Sequence, residues 1–233
     1  MQPKFWAVIP AAGVGSRMES ALPKQYLPLH GKTVIEHSLS RLGSHPLISG
    51  VVVAISADDQ HWQRLDLSAR DNIHTTTGGA ERCHSVLNGL THLAELANDD
   101  DWVLVHDAAR PCIHADDITR MIEQLRVHPV GGLLGLPVAD TMKRTDNDGT
   151  VLETISRDNL WRALTPQMFR LASLRDAVQQ ALEDGFLVTD EASAMEHIGL
   201  SPQMVEGRSD NIKITRPDDL QLAELYLARQ EKE

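Results

Sequence analysis

Two cations, Arg17 and Lys24, follow a run of small residues, Pro10-Ala11-Ala12-Gly13-Val14-Gly15-Ser16. Small, glycine-bearing backbone approaches a ligand closely and turns its N–H groups toward anionic oxygens. The apolar run Phe5-Trp6-Ala7-Val8-Ile9 before it reads as a buried strand stopped by Pro10. A strand feeding an N–H-lined loop, with an Arg and a Lys in reach, suits a triphosphate. Pro10, Ala11, Ala12, Gly13 and Gly15 are therefore candidate nucleotide-binding positions. The plainer reading is a tight strand–loop connection of an α/β protein. A dinucleotide fingerprint fits less well, because Met18 stands where a third Gly belongs, although Glu36 has roughly the spacing of a ribose-binding acid. Arg17 and Lys24 have no place in that motif; they suit phosphates on which charge builds up.

Further stretches carry groups of the same kind. Gly78-Gly79 and Ser85 stand at the start of a long helical pattern. Free N–H groups and a hydroxyl there can meet a base or ribose, or simply cap the helix. In His106-Asp107-Ala108-Ala109-Arg110-Pro111, Asp107 can hold magnesium on phosphates, bond a sugar hydroxyl, or pair with Arg110. Arg157 and Lys213 read either as phosphate ligands or as solvated surface cations. Thr189-Asp190-Glu191 reads first as a helix cap with acids at the dipole's positive end, and second as a sugar contact. The histidines include no H-E-x-x-H pattern, and His84 and His92 read as surface positions. Metal held wholly by protein ligands is not expected; magnesium arriving with phosphates stays open.

The elements that must position these groups alternate. Strands are expected at 4–9, 50–56, 73–77, 102–106, 131–137 and 203–206. Helices are expected at 34–42, 80–97, 116–127, 171–183, 190–198 and 217–229, with a short helical segment at 58–65. Such alternation implies an α/β fold, a mostly parallel sheet with helices on both faces. Ligands then collect at the carboxyl ends of the strands. Between them, 141–145 and 150–155 flank Asp146-Asn147-Asp148-Gly149, a strong hairpin signal. This projecting β-hairpin arm, at about 139–158, has few large apolar groups and is marginal alone, so it packs on something, a second subunit being a natural candidate. No linker or repeat interrupts the chain, and 1–233 reads as a single domain.

Composition sets limits. A net charge of −11 argues against extended nucleic-acid binding, so cations must be concentrated locally to hold a polyanion. Cys83 and Cys112 form no disulfide framework and no zinc spacing, and a reducing cytoplasmic setting is expected. No apolar stretch approaches the length of a membrane span.

Together, P-A-A-G-x-G-x-R-M with P-K-Q-Y, G-G-x-x-R-x-x-S, V-H-D-A-A-R-P, D-T-M-K, L-W-x-A-L-T-P-Q, T-D-E-A-S and E-G-x-x-x-N-I-K-I-T resemble the 2-C-methyl-D-erythritol 4-phosphate cytidylyltransferases, over nearly the whole chain. The resemblance implies a Rossmann-like fold of nucleotidyltransferase type. It also implies CTP and methylerythritol phosphate as substrates, a divalent cation such as Mg2+, and a homodimer joined through the arm. Ala11, Ala12, Gly13, Gly79 and Ser85 would line the cytidine site. Arg17 and Lys24 would stabilise the pentacoordinate phosphorus, and Arg157 and Lys213 would hold the sugar phosphate. Asp107, Thr165 and Thr189 would border the sugar phosphate and metal, and Arg110 and Thr141 would reach across a dimer interface. A related enzyme using ribitol 5-phosphate, and a non-catalytic nucleotide-binding module, are the alternatives.

Overall fold

A computed structural model describes residues 2–13 and 22–232, so Gly15 and Arg17 lie outside the described residues. The central sheet has seven strands: β1 (Phe5–Pro10), β4 (Ile48–Ile55), β5 (Ile73–Thr77), β6 (Trp102–Val105), β7 (Gly131–Pro137), β10 (Trp161–Arg170) and β11 (Gln203–Glu206). Their order is β11-β7-β10-β6-β1-β4-β5. All pair in parallel except β10, which runs antiparallel to both β6 and β7. The mostly parallel α/β sheet expected from the alternation is present.

Runs such as Val51-Val52-Val53-Ala54 and Trp102-Val103-Leu104-Val105 are buried without a break, as strands covered on both faces must be. Successive residues alternate faces. Ala7, Ile9, Val51, Val53 and Leu104 pack in one apolar cluster with residues of α1 (Val34–Gly43) and α3 (Ala115–Leu125). Trp6, Val8, Val52, Val103 and Val105 pack in another, with α2 (Arg82–Leu93), α4 (Leu171–Glu183) and α5 (Glu191–His197). The last helix, α6 (Pro217–Gln230), lays Ala223 and Leu227 against Leu27, Leu29 and Ala109.

The structure corrects several expected elements. The strand β10 was not expected. Pro166 reads as a break, yet it falls in the register shift between Ala163 and Gln167, where the ladder is interrupted and its missing N–H is not needed. The helix expected at 80–97 is shorter, and the segment at 58–65 forms only a 3-10 turn at Trp62–Arg64, with another following it at Asp66–Ala69. A small hairpin, β2 (Pro28–Leu29) with β3 (Lys32–Thr33), turns through His30 and Gly31, both at positive φ. The expected larger hairpin pairs β8 (Met142–Thr145) with β9 (Val151–Ile155).

Glycines of β7 let its neighbours close in. A Cβ on Gly132 would lie 2.0 Å from the Gln203 carbonyl oxygen, backbone that can move only by shifting β11. Gly132→Val is therefore expected to destabilise the fold by about 1–3 kcal/mol or more. Urea unfolding checks this, and a variant as stable as the parent would refute the close approach.

Candidate active site

A cleft of about 340 Å³ opens at the carboxyl ends of β1, β5 and β6. Pro10, Ala11, Ala12 and Gly13 form one wall with Lys24. Gly79 and Ser85 form another, and Asp107 and Lys213 close the site. Local chemistry fixes each wall. The Gln25 side-chain amide donates to the Ala11 and Gly13 carbonyls at 2.7 and 3.1 Å, anchoring the loop after β1. Lys24 Nζ donates to the Ile214 carbonyl at 3.2 Å, which ties this wall to the segment before α6. A Cβ on Gly78 would sit 2.4 Å from Ala12 Cβ, so the two walls touch only because Gly78 has none. The Ser85 hydroxyl accepts the Gly79 N–H at 3.0 Å and donates to the Glu81 carbonyl at 3.2 Å, holding the turn into α2.

The electrostatic centre is Asp107, which is buried and faces three cations. Its Oδ1 lies 2.9 Å from Arg82 Nε; its Oδ2 lies 2.9 Å from Lys213 Nζ and 3.5 Å from Arg110 Nε. Burial alone would raise the Asp107 carboxyl, but Arg82, Lys213 and Arg110 outweigh it and hold it well below the usual carboxylate range. Arg82 also grips buried Glu191 with two bonds, at 2.6 and 3.2 Å. Burial disfavours the Arg82 charge, and the two carboxylates more than restore it.

Behind Asp107 the polar groups form a closed chain. His106 Nε2 lies 3.0 Å from the Arg110 carbonyl, so it must carry the proton, and Nδ1 accepts from the Thr165 hydroxyl at 3.0 Å. That hydroxyl in turn accepts the Asp107 N–H at 3.0 Å. Both roles of Thr165 Oγ are thus spent inside the protein. Arg110 is buried and donates to the Asn211 carbonyl at 2.8 Å, while Asn211 donates to the Thr165 carbonyl at 2.8 Å. Burial pushes the His106 imidazole down to about 4, in keeping with one protonated ring nitrogen.

Not every candidate meets the cleft. Arg157 is exposed on the return from β9 and donates to the Ala139 carbonyl. Thr141 is exposed beside β8, and Thr189 is exposed ahead of α5. Asp190 caps α5, accepting the Ser193 N–H at 3.0 Å, as the plainer reading had it. Glu36 is spent in the capping box of α1, its Oε2 2.7 Å from both the Thr33 N–H and hydroxyl, which removes the ribose acid of a dinucleotide site. Arg82 was not among the expected site residues, although the arginine of G-G-x-x-R was the available signal, and Glu191, expected to serve the dipole of α5, is instead buried against Arg82. His84, expected at the surface, is half-buried and shares with Glu81 and Cys83 a grouping of metal-type ligand atoms within 4.8 Å.

A family model for 2-C-methyl-D-erythritol 4-phosphate cytidylyltransferase matches residues 5–229. The chain belongs to this family. A cytidylyltransferase of that description from Pseudomonas aeruginosa is 56% identical over 219 residues, covering 94% of each chain. One from Pseudomonas fluorescens strain SBW25 is 53% identical over 227 residues, covering 97% of each. The Francisella tularensis cytidylyltransferase structure superposes with a TM-score of 0.84 at 38% identity, covering 96% of this chain and 99% of that one. A crystal structure described as 4-diphosphocytidyl-2C-methyl-D-erythritol synthase also gives 0.84, at 36% identity, covering 97% and 100%.

Within this cytidylyltransferase framework, neutral His106 makes stability depend on pH. Its folded pKa lies below the unfolded value of 6.5, so the unfolded chain binds the proton more readily and stability falls as pH drops from 6.5 toward about 4. Asp107, held low, stays ionised across that window and does not offset the loss. At pH 5 the deficit is about 2 kcal/mol relative to neutral pH. Urea unfolding at pH 7 and pH 5 is expected to show this loss in the parent and a smaller one in His106→Asn. Equal losses in the two proteins would contradict a neutral buried imidazole.

Proposed function

We propose that this chain transfers CMP from CTP to 2-C-methyl-D-erythritol 4-phosphate, giving 4-diphosphocytidyl-2-C-methyl-D-erythritol and pyrophosphate. The observation that carries the reading is the charge balance beside the loop after β1. Arg82, Arg110, Lys213 and Lys24 stand against Asp107, Glu191 and Glu81, leaving a small surplus of positive charge in and around the cleft. Such a site suits two anions that must be brought together.

The attacking group is a phosphate monoester, whose second pKa near ~6 leaves it largely ionised at neutral pH. No general base is required, and the enzyme's work is alignment and neutralisation. Lys24 and Arg17 act on charge that grows at the α-phosphorus. Lys213 and Arg157 hold the sugar phosphate in line, with Thr141, Thr189 and Arg110 at its border. Thr165 acts through the Asp107 backbone, since its hydroxyl is committed there. Asp107 fits a magnesium ion: it is a hard oxygen donor, and its Oδ2 already accepts a cation, the Lys213 ammonium. Asp107 would hold the ion, whose chemistry would be screening of the triphosphate charge and of the departing pyrophosphate.

The chain works as a single domain, and its partner is a second copy joined through the arm. Exposed Met142, Val151 and Leu152 on the hairpin support that interface. Its setting is the cytoplasm, consistent with two free cysteines, Cys83 and Cys112. Among the described residues no helix is long and apolar enough to cross a membrane, and the net charge of −11 disfavours nucleic acid.

Pyrophosphate release is expected only with CTP, the methylerythritol phosphate and a divalent cation together. Equal turnover of ribitol 5-phosphate would move the assignment to that related activity, and no turnover with either, alongside nucleotide binding, would leave a binding module. Lys24→Ala and Arg17→Ala are each expected to lower kcat by an amount equivalent to about 3–4 kcal/mol, with CTP affinity nearly kept. If calorimetry finds weakened CTP binding and kinetics find normal kcat, these cations serve the ground state instead.

A further inference from the structure

Arg82 opens α2, and its Nε, Nη1 and Nη2 all engage carboxylates. One partner is 25 residues away and the other 109. On the first side, Nε holds Oδ1 of Asp107, which leaves Oδ2 as the oxygen turned to Lys213 and Arg110. On the second side, the paired Nη bonds hold Glu191, the first residue of α5, which is only 1% exposed. The same helical turn is fastened from β10: Gln167 donates to Asp190 at 2.9 Å and accepts the Ala192 N–H at 2.8 Å. The irregular segment leading into α5 carries Thr189.

We infer that Arg82 is the positioning residue of this site, its single guanidinium aligning Asp107 on the nucleotide side with the start of α5 on the sugar-phosphate side. The inference rests on the transfer reaction proposed above. A planar fork can serve two carboxylates in fixed directions, and an ammonium cannot. Buried pairs of this kind contribute little net stability against apolar replacements, so such a triad is better understood as fixing geometry. Arg82 also lines the cleft, but its Nε, Nη1 and Nη2 are each engaged by a carboxylate, so its loss acts by misplacing the two halves, which slows an in-line transfer.

The test uses the full chain with CTP, methylerythritol phosphate and magnesium, and compares Arg82→Lys, Glu191→Gln and the double variant. Arg82→Lys is expected to lower kcat about thirtyfold or more and to raise the sugar-phosphate KM roughly fivefold, with CTP affinity by calorimetry nearly unchanged. Glu191→Gln is expected to raise the same KM, and the double variant to be no more than about threefold worse than Arg82→Lys. Amide exchange, read without turnover, is expected to quicken at 105–112 and 187–196 in Arg82→Lys while α3 stays as in the parent. A folded Arg82→Lys with parental kcat, additive losses in the double variant, or unchanged exchange at both segments would overturn the inference. Should Arg82→Lys not fold, Glu191→Gln decides: parental KM and parental exchange at 187–196 would overturn it. An inactive parent protein would sink the reaction alone, and the exchange comparison would still judge Arg82.

Discussion

A carboxylate buried at the end of a core strand is the constraint on which this site is built. Asp107 follows β6 at the centre of the sheet, and an ionised carboxylate there is costly unless cations and hydrogen bonds answer it. Three cations do, and each belongs to a different part of the chain. Arg82 brings the start of α2, Lys213 brings the segment between β11 and α6, and Arg110 brings the loop that begins at Asp107 itself. Satisfying one buried charge therefore gathers the segments that wall the cleft.

The sheet makes that convergence possible. Parallel strands deliver their carboxyl ends to one edge, so the loops after β1, β5 and β6 meet without long excursions. The reversed strand, β10, adds what a parallel strand could not. Running against β6, it presents its first half at the edge where β6 ends, so Thr165 meets the Asp107 N–H and His106 from across the ladder. Gln167, two residues on, then reaches the start of α5. One antiparallel strand thus fastens both the Asp107 loop and the helix beyond it.

Much of this was legible in the residues, for identifiable reasons. Continuous apolar runs marked β1, β4 and β6, and small-residue loops after β1 and β5 marked where backbone would be close-packed. Gly78 and Gly79 are required by contacts with Ala12 and His84, as paired glycines at a helix start imply. The strand β10 was hidden because Pro166 breaks the pattern locally, while the register shift that accommodates it is a property of the pairing. Glu191 was hidden for another reason. An acid just after an N-cap ordinarily serves the helix dipole at the surface, and nothing local tells that this one is buried against an arginine 109 residues away. Composition spoke to neither.

The same placement reconciles an acidic protein with anionic ligands. A chain of net charge −11 repels phosphates at long range only weakly, since surface charges are screened over about 8 Å at physiological salt. Inside the cleft screening is poorer, so the few groups fixed there dominate. Arg82 and Arg110 are largely neutralised by the acids they hold, whereas Lys213 has its ammonium at the edge of the network, its side chain 37% exposed. Arginines, with planar forks, hold the carboxylates in fixed directions, whereas the lysine ammonium is a point charge on a flexible stem. The order of burial, from Glu191 and Asp107 outward through Arg82 to Lys213, is an order of decreasing commitment, and it leaves the outermost cation the one most open to exchange between protein and ligand.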